Sequence, residues 1–232
     1  MPYSLGSSIR RMFGPFEHGV AEMYRRIFVD LDKLADLMRV WVPRAHRILE
    51  VGCGEGFMTE RIVKSYPSAS VTAIDITSKI GRLFRGDASA ITFCQETVES
   101  VANREPGSFD LVVLADVMHH VPINERGAFL YAIDRLLTPN GNLLFKDWVI
   151  SASPIHWLCN NSDRYLTGDN VSYFTMSGIN AMLTSTFGPD SIRHTGTVWP
   201  WRNNVAFLVQ RHPPLAVQNA ELDRQRCSTG TQ

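Results

Sequence analysis

Residues 48–56 read ILEVGCGEG, an apolar run that leads into three glycines at alternate positions. The apolar residues before Gly52 are typical of a buried strand, and the residues after Gly56 have the spacing of an amphipathic helix. Glycines at such a turn permit positive φ angles and let a ligand lie against the backbone. Open N–H groups at the start of the following helix attract polar or anionic groups. This order of strand, glycine-rich turn and helix predicts the ligand-binding edge of an α/β sheet.

Outward from this segment, short β-branched runs alternate with helical patterns, which indicates a parallel sheet with helices on both faces. Two final runs joined by a few turn-forming residues predict an antiparallel hairpin. The expected fold class is α/β, with a doubly wound, mostly parallel seven-stranded sheet whose last strand is antiparallel. The predicted strands are 47–51, 70–74, 90–94, 109–114, 142–150, 191–198 and 204–210, and the predicted helices are 17–42, 57–66, 124–137 and 177–187, with a turn at 138–141.

The chain is expected to divide into a central domain and flanking segments. Residues 1–43, which include a long helical pattern, are expected to form an N-terminal helical lid. Residues 44–211 are expected to form the cofactor-binding domain, with a cap insertion at about 151–175 where polar and aromatic residues follow no clear period. Residues 212–232 contain two prolines and mostly polar side chains, so a disordered tail is expected there.

Composition argues against several classes of protein. The 232 residues are 44% hydrophobic and carry 23 basic and 23 acidic side chains, so the formal net charge is zero. Proteins that bind nucleic acid or anionic membranes usually show an excess of basic side chains. This chain shows no such excess, which disfavours both kinds of partner. No apolar run approaches the length of about 20 residues that a membrane span requires, and the N-terminus lacks a secretory signal. The four cysteines are far apart, so we expect free thiols, no metal site and a cytoplasmic protein.

The glycine segment does not fit a dinucleotide cofactor well. In the dinucleotide fingerprint G-x-G-x-x-G the third glycine comes later, and here Phe57 stands where that pattern needs a small residue. Glu50 adds a carboxylate that would repel a pyrophosphate but would suit a ligand with positive charge. S-adenosylmethionine carries a sulfonium and an ammonium and no phosphate, so electrostatics favour it over NAD. The second predicted strand leads into Asp75, which lies about 20 residues past the first glycine and is placed to accept hydrogen bonds from ribose hydroxyls.

From about Arg44 to Gln210 the chain resembles the class I S-adenosylmethionine-dependent methyltransferases. The resemblance implies their Rossmann-like fold, S-adenosylmethionine as methyl donor and S-adenosylhomocysteine as product. It also implies that residues at the end of the first strand contact the methionine part, that Asp75 holds the ribose and that Ile76 packs on the adenine. The segments that carry the resemblance are 48–56, 71–75, 109–120 and 135–144, and the expected cofactor residues are Glu50, Gly52, Cys53, Gly54, Gly56, Asp75, Ile76 and Ala115.

One segment departs from the pattern of that family. Where the family often has an aspartate after the third strand to bind the adenine amino group, residues 93–97 read FCQET. Either Glu96 makes this contact one position out of phase, or Thr97 makes it through its hydroxyl.

Methyl transfer requires that the acceptor atom, the methyl group and the sulfur be aligned, and that a proton sometimes be removed from the acceptor. His119 and His120 follow the fourth strand, and Asp147 ends the fifth, so each is a candidate base. The alternative for the histidines is a scaffold role, since paired histidines after this strand are common in the resembling family. Lys146 is expected to orient or pair with a carboxylate rather than act as a base.

A small-molecule acceptor is the favoured partner. The Asn/Asp-Pro-Pro-aromatic motif and the Pro-Cys pair of enzymes that methylate nucleobases are absent after the fourth strand. Aromatic residues of the C-terminal third predict an apolar acceptor cavity, with core packing as the alternative. Arginines nearby either bind an acceptor group or form structural ion pairs. The candidate acceptor residues are Trp148, Arg164, Tyr165, Trp201 and Arg202.

The expected function is methyl transfer to a hydrophobic or aromatic small molecule of specialised, quinone or lipid metabolism, at oxygen ahead of nitrogen or carbon. A homodimer is a candidate assembly. The alternatives are an NAD-dependent oxidoreductase and a non-catalytic S-adenosylmethionine-binding subunit.

Overall fold

The computed structural model describes residues 17–151 and 171–211. The described chain contains seven strands and six helices, with short 3₁₀ turns at Ala88–Ala90 and Met118–His120. The strands are β1 (Arg47–Val51), β2 (Ser70–Asp75), β3 (Ile91–Gln95), β4 (Phe109–Ala115), β5 (Leu137–Trp148), β6 (Ile192–Thr197) and β7 (Asn204–Gln210). The helices are α1 (Glu17–Phe28), α2 (Leu31–Trp41), α3 (Phe57–Ser65), α4 (Val98–Arg104), α5 (Arg126–Leu136) and α6 (Met176–Phe187).

All seven strands join one sheet in the order β3-β2-β1-β4-β5-β7-β6. The first five strands pair in parallel, whereas β7 is antiparallel to both β5 and β6. This arrangement confirms the predicted doubly wound sheet with an antiparallel last strand. The chain order reverses between β1 and β4, and such a switch point is where open α/β sheets bind ligands, beyond the carboxyl ends of the strands.

Two apolar clusters cover the two faces of the sheet. Helices α4, α5 and α6 pack on one face, and α2 and α3 pack on the other. The central strand β4 contributes to both, and its residues Leu111, Val112, Val113 and Leu114 have no exposed surface. The apolar run of β4 is thus explained by burial on both sides, which holds the carboxyl ends of β1, β4 and β5 in fixed positions.

The prediction of a single helix over 17–42 was wrong, because the chain breaks between α1 and α2. Asp30 has an extended backbone and its side chain accepts a hydrogen bond from the Lys33 N–H at 3.0 Å, so it begins α2 as an N-cap. The apolar spacing continues through this break, and periodicity alone therefore does not reveal it.

Two further differences concern α4 and β5. Helix α4 is missing from the prediction, although Thr97 caps it by accepting from the Ser100 N–H at 3.3 Å. The turn predicted at 138–141 falls inside the range of β5, which begins at Leu137. The register between β4 and β5 shifts there, and Gly141 fits because a Cβ at this position would lie 3.0 Å from the Phe109 carbonyl.

Helix α1 is attached to the rest of the domain at its middle and at its last turn. In its middle, Glu22 accepts two hydrogen bonds from the Arg61 guanidinium at 2.8 and 3.0 Å. In its last turn, the Ile27 carbonyl accepts from the Trp201 indole N–H at 2.6 Å, and the Phe28 carbonyl accepts from the Asn204 side chain at 3.1 Å. Within residues 17–151 and 171–211, no helix is long and apolar enough to cross a membrane.

Candidate functional site

The three alternating glycines form a turn with left-handed backbone angles. The φ angles of Gly52, Gly54 and Gly56 are 77°, 51° and 96°. The N–H groups of Gly52 and Cys53 both donate to the Ile74 carbonyl, at 2.8 and 3.1 Å, which ties the turn to the end of β2. A Cβ placed on Gly54 would meet nothing within 4 Å, so this glycine borders open space. At Gly54 the turn therefore leaves bare backbone accessible.

Asp75 is fixed beside this turn. Its Oδ2 accepts from the Gly54 N–H at 2.8 Å and its Oδ1 accepts from the Thr77 N–H at 2.9 Å. Each carboxylate oxygen has two lone pairs, so both oxygens keep capacity for another donor. The next side chain, Ile76, is 70% exposed although it is large and apolar. A rigid acceptor pair beside an exposed apolar side chain suits the ribose and the base of a nucleoside.

Glu50 lies behind the glycine turn rather than on it. Its side chain is buried, and its Oε2 accepts from the Thr59 hydroxyl at 2.6 Å. Its charge still acts on the turn, because burial and then the Glu50 and Asp75 carboxylates raise the pKa of the Cys53 thiol. The negative potential of these two carboxylates favours a ligand with positive charge. Electrostatics and backbone shape thus both fit S-adenosylmethionine.

The two candidates for the adenine amino group already have partners in the protein. Glu96 pairs with Arg104 and also accepts from the Ser100 hydroxyl at 3.3 Å. Thr97 uses its hydroxyl to cap α4. The structure places both residues after β3 on the side of Asp75, since Gln95 pairs with Asp75 in the sheet.

At the carboxyl ends of β4 and β5, the structure brings two of the candidate bases together. The His119 Nδ1 lies 2.6 Å from the Asp147 Oδ1, and the His119 backbone N–H donates to the Asp147 Oδ2 at 3.1 Å. Asp147 also accepts from the Trp148 N–H at 2.7 Å and has no exposed surface. Burial alone raises the pKa of the Asp147 carboxyl, but the His119 ring and these hydrogen bonds outweigh it, so the net pKa is lowered. Asp147 is therefore held as a carboxylate directed at His119.

His119 is enclosed, whereas His120 is exposed. The His119 ring stacks on Tyr173 with centroids 5.2 Å apart, and its other neighbour is the His120 ring at 4.1 Å. Only 4% of the surface of His119 is exposed. The two histidines thus have different environments even though they are adjacent in sequence.

The lowered pKa of Asp147 predicts an acid-sensitive contribution to stability. A carboxyl whose folded-state pKa lies below its ordinary value of 3.8 stabilises the fold above that pH and loses the effect as the pH falls toward the folded-state pKa. The difference in unfolding free energy between the wild type and Asp147→Asn is therefore expected to shrink below about pH 4. Urea titrations of both proteins between pH 7 and pH 3 measure it. A difference that stays constant across this range would contradict the prediction.

Sequence reasoning missed Arg126, which is buried at the start of α5. Its guanidinium donates to the Val121 carbonyl at 3.0 Å and to the Ser172 carbonyl at 2.5 Å, and it lies 4.0 Å from the centre of the Phe174 ring. Burial lowers the pKa of Arg126, against the opposing charge of Asp147. Arg126 fastens residues 172–174 next to His119. A basic residue in the first turn of a helix interacts unfavourably with the helix dipole. The position of Arg126 in the first turn of a predicted helix was therefore the sequence signal that it has another role.

The predicted acceptor residues lie in different environments. Trp148 is buried in a small apolar cluster with Phe28, Tyr173 and Trp201. Arg202 is exposed in the turn between β6 and β7. Arg164 and Tyr165 lie outside the described residues, as do most of the expected cap insertion, residues 1–16 of the expected lid, and the expected tail.

Ala115 ends β4 opposite Lys146 of β5. The next residue, Asp116, accepts a hydrogen bond from the Lys146 ammonium at 2.5 Å, which confirms that this lysine pairs with a carboxylate. Within the described ranges, no group of three or more His, Cys, Asp or Glu side chains is arranged to hold a metal ion.

The sheet order and the glycine turn are those of a Rossmann-like methyltransferase fold. Residues 48–141 match the family model of the methyltransferase domain. The matched segment runs from β1 into β5 and includes the glycine turn and Asp75.

The known proteins to which the chain is similar are methyltransferases. The chain is 38% identical over 119 residues to the ubiquinone biosynthesis O-methyltransferase of Xanthomonas campestris pv. campestris strain B100, covering 50% of this chain and 47% of that protein. It is 30% identical over 116 residues to the enzyme of the same name from Photorhabdus laumondii, with 48% and 46% covered. The chain thus spans about half the length of the curated relatives it matches.

Among solved structures, the fold resembles the 1,6-didemethyltoxoflavin N1-methyltransferase of Burkholderia thailandensis, which was crystallised with 1,6-didemethyltoxoflavin and S-adenosylhomocysteine. The TM-score is 0.63 at 15% identity, and 92% of this chain and 91% of that chain are covered. At this identity the likeness demonstrates the shared fold.

Proposed function

We propose that this protein transfers the methyl group of S-adenosylmethionine to a hydrophobic or aromatic small molecule, at oxygen in preference to nitrogen or carbon. The observation that carries the proposal is the Asp75 carboxylate, which the Gly54 N–H holds beside a glycine turn that borders open space. The similar proteins support a small-molecule acceptor, since their names describe a ubiquinone biosynthesis O-methyltransferase and a 1,6-didemethyltoxoflavin N1-methyltransferase.

Different residues would contact the ribose, the adenine and the methionine part of the methyl donor. Asp75 would accept from the ribose hydroxyls and Ile76 would cover the adenine, with Glu96 or Thr97 as the proposed contact of its amino group. The backbone of Gly52, Cys53, Gly54 and Gly56, with Ala115 opposite, would hold the methionine part under the negative potential of Glu50. When bound, S-adenosylmethionine supplies a methyl group on a positively charged sulfur.

On the acceptor side, the chain must orient the acceptor and manage its proton. The candidate bases are His119, backed by Asp147, and the exposed His120. Asp147 has no exposed surface, so we propose that it acts through His119 rather than on the acceptor. Trp148 and Trp201, with Arg164, Tyr165 and Arg202, are the proposed acceptor-side residues.

Several wider features belong to the same proposal. Residues 1–43 would form a helical lid, residues 44–211 the catalytic domain with a cap at about 151–175, and residues 212–232 a tail. We also propose a cytoplasmic location, an acceptor that is not a nucleic acid, and a homodimer as the assembly to test.

Calorimetry tests the donor first. The full chain is expected to bind S-adenosylmethionine and S-adenosylhomocysteine and to show no binding of NAD. Release of S-adenosylhomocysteine is then measured with a panel of phenols, catechols and hydroxyquinones. Binding of NAD without S-adenosylmethionine would indicate an oxidoreductase, and donor binding without turnover of any acceptor would indicate a non-catalytic subunit.

Replacing Asp75 with alanine is expected to weaken S-adenosylmethionine binding by about 1–3 kcal/mol, because the ribose hydroxyls lose their acceptor. Asp87→Ala is the matched control, since Asp87 is an exposed aspartate after the same strand that accepts from the Ser89 N–H at 2.9 Å. Calorimetric affinities of the two variants give the comparison. An Asp75→Ala protein with wild-type affinity would remove this residue from the donor site.

A further inference from the structure

Asp116, the residue directly after β4, has an unusual backbone. Its φ angle is 59°, and in the described part of the chain it is the one non-glycine residue with a positive φ. Its N–H donates to the Lys146 carbonyl at 2.9 Å, which fixes this conformation. Side chains other than glycine rarely adopt left-handed angles, and such residues concentrate at functional sites.

The partner of the Asp116 side chain is a buried lysine. Lys146 is 1% exposed, its Nζ donates to the Asp116 Oδ1 at 2.5 Å, and it lies 5.3 Å from the centre of the Trp148 ring. A buried ammonium is costly unless a carboxylate pairs with it. The Asp116 side chain, by contrast, is 29% exposed. The ion pair therefore has its positive end inside the protein and its negative end at the surface.

That surface adjoins the proposed donor site. The Val117 side chain fills the space beside Gly52, where an added Cβ would lie 2.3 Å from the Val117 Cγ2. Asp116 thus lies beside the glycine turn, at the switch point between β1 and β4 and on the side of β5. An acceptor that reaches the donor from the β5 side passes this carboxylate.

Asp147, an acidic residue near the carboxyl end of β5, differs from Asp116 in exposure. Asp147 has no exposed surface and already accepts three hydrogen bonds from His119 and Trp148. The Asp116 Oδ1 faces Lys146, which leaves its exposed carboxylate surface for a ligand. A carboxylate accepts hydrogen bonds, and a ligand at this surface lies nearer to the exposed Asp116 carboxylate than to the buried Lys146 ammonium, so the pair disfavours anionic groups there.

From this geometry, and resting on the methyl transfer proposed above, we infer that Asp116 recognises the acceptor by accepting a hydrogen bond from a hydroxyl adjacent to the one that is methylated. Lys146 is the positioning residue that fixes the carboxylate. The acceptor class is then a neutral compound with two adjacent hydroxyls, such as a catechol, and carboxylate acceptors are rejected.

Binding of matched probes to the full chain saturated with S-adenosylhomocysteine tests this inference. The probes are 4-butylcatechol, its dimethyl ether and 4-butylbenzoate, and the readout is calorimetry. The wild type is expected to bind the catechol about tenfold or more tightly than the ether, which is the strength of one charge-assisted hydrogen bond, and to reject the benzoate. Asp116→Ala is expected to bind catechol and ether equally.

Two further variants separate recognition from folding. Asp116→Asn combined with Lys146→Met removes both charges, so that no buried ammonium is left unpaired, and is expected to bind S-adenosylhomocysteine but to lose the charge-assisted part of the preference for the catechol. Asp110→Asn is the matched control, because Asp110 lies at the other end of β4, where it accepts from the His46 and Arg47 N–H groups at 2.8 and 3.0 Å. It is expected to keep the preference for the catechol.

The outcomes distinguish the two proposals. A wild-type chain that does not bind S-adenosylhomocysteine overturns the proposed function. A chain that binds it but shows equal affinity for catechol and ether, no affinity for either, or unchanged discrimination in Asp116→Ala overturns the role of Asp116 alone. Lys146→Arg, which keeps a cation beside Asp116, is expected to keep part of the discrimination that Asp116→Ala loses.

Discussion

Replacing Asp147 with alanine is expected to lower the free energy of unfolding by about 3–5 kcal/mol, the range for breaking a fully buried pair. The variant leaves the His119 ring and two backbone N–H groups without their acceptor in a place that water does not reach. It also removes the negative charge that faces the buried Arg126. Urea denaturation followed by circular dichroism measures the loss.

Asp36→Ala is the control for this measurement. Asp36 makes an exposed ion pair with Lys33 at 3.8 Å, and its removal is expected to change the unfolding free energy by less than about 0.5 kcal/mol. Asp147→Asn keeps one acceptor oxygen and is expected to fall between alanine and the wild type. A loss below about 1 kcal/mol for Asp147→Ala would show that His119 finds another partner and that the pair is not structural.

Replacing Gly52 with alanine is expected to have the second large effect, on donor binding as well as stability. The added Cβ would lie 2.3 Å from the Val117 Cγ2, and the φ angle of 77° is unfavourable for alanine. Val117 follows β4 and packs against the glycine turn. The turn and the segment after β4 must therefore move apart, which opens the proposed donor site. We expect a loss of stability of about 1–3 kcal/mol and a weakening of S-adenosylmethionine binding by a factor of about ten or more.

Gly107 provides a matched control for the backbone strain that alanine causes at a positive φ. Gly107 also has a left-handed φ, 64°, but a Cβ there would meet nothing within 4 Å. Gly107→Ala is therefore expected to cost the backbone strain without the collision and to leave donor binding unchanged. Adding Val117→Ala to Gly52→Ala removes the colliding methyl group and is expected to recover part of the affinity. If Gly52→Ala binds the donor like the wild type, the turn tolerates displacement and does not cradle the donor closely.

The parts of the site that follow from neighbouring residues could be predicted from the sequence. The β1 strand, the glycine turn and α3 lie within one continuous segment, and Asp75 ends the next strand. Each signal there is local, since it depends on hydrophobic period and on glycine at defined positions. His119 and Asp147 were also found as candidates, because the first follows and the second ends a strand of the predicted sheet.

The properties that depend on side-chain packing could not be predicted. The sequence places Asp147 at the edge of the sheet but does not reveal that it is fully buried. The pairing of Asp116 with Lys146 depends on the register in which Ala115 faces Lys146, and on a left-handed residue that no propensity indicates. Arg126 was missed because its partners are the backbone carbonyls of Val121 and Ser172.

The attachment of α1 to the turn before β7 and to the start of β7 affects when the contacts of α1 can form during synthesis. The last carbonyls of a helix lack partners within it, and here the side chains of Trp201 and Asn204 supply them for Ile27 and Phe28. Trp201 follows Ile27 by 174 residues, which corresponds to roughly 9–35 s on the ribosome at about 5–20 residues per second. The contacts at the end of α1 therefore form only after β7 has begun to be synthesised, whereas the contact of Glu22 with Arg61 of α3 needs only the first part of the described chain.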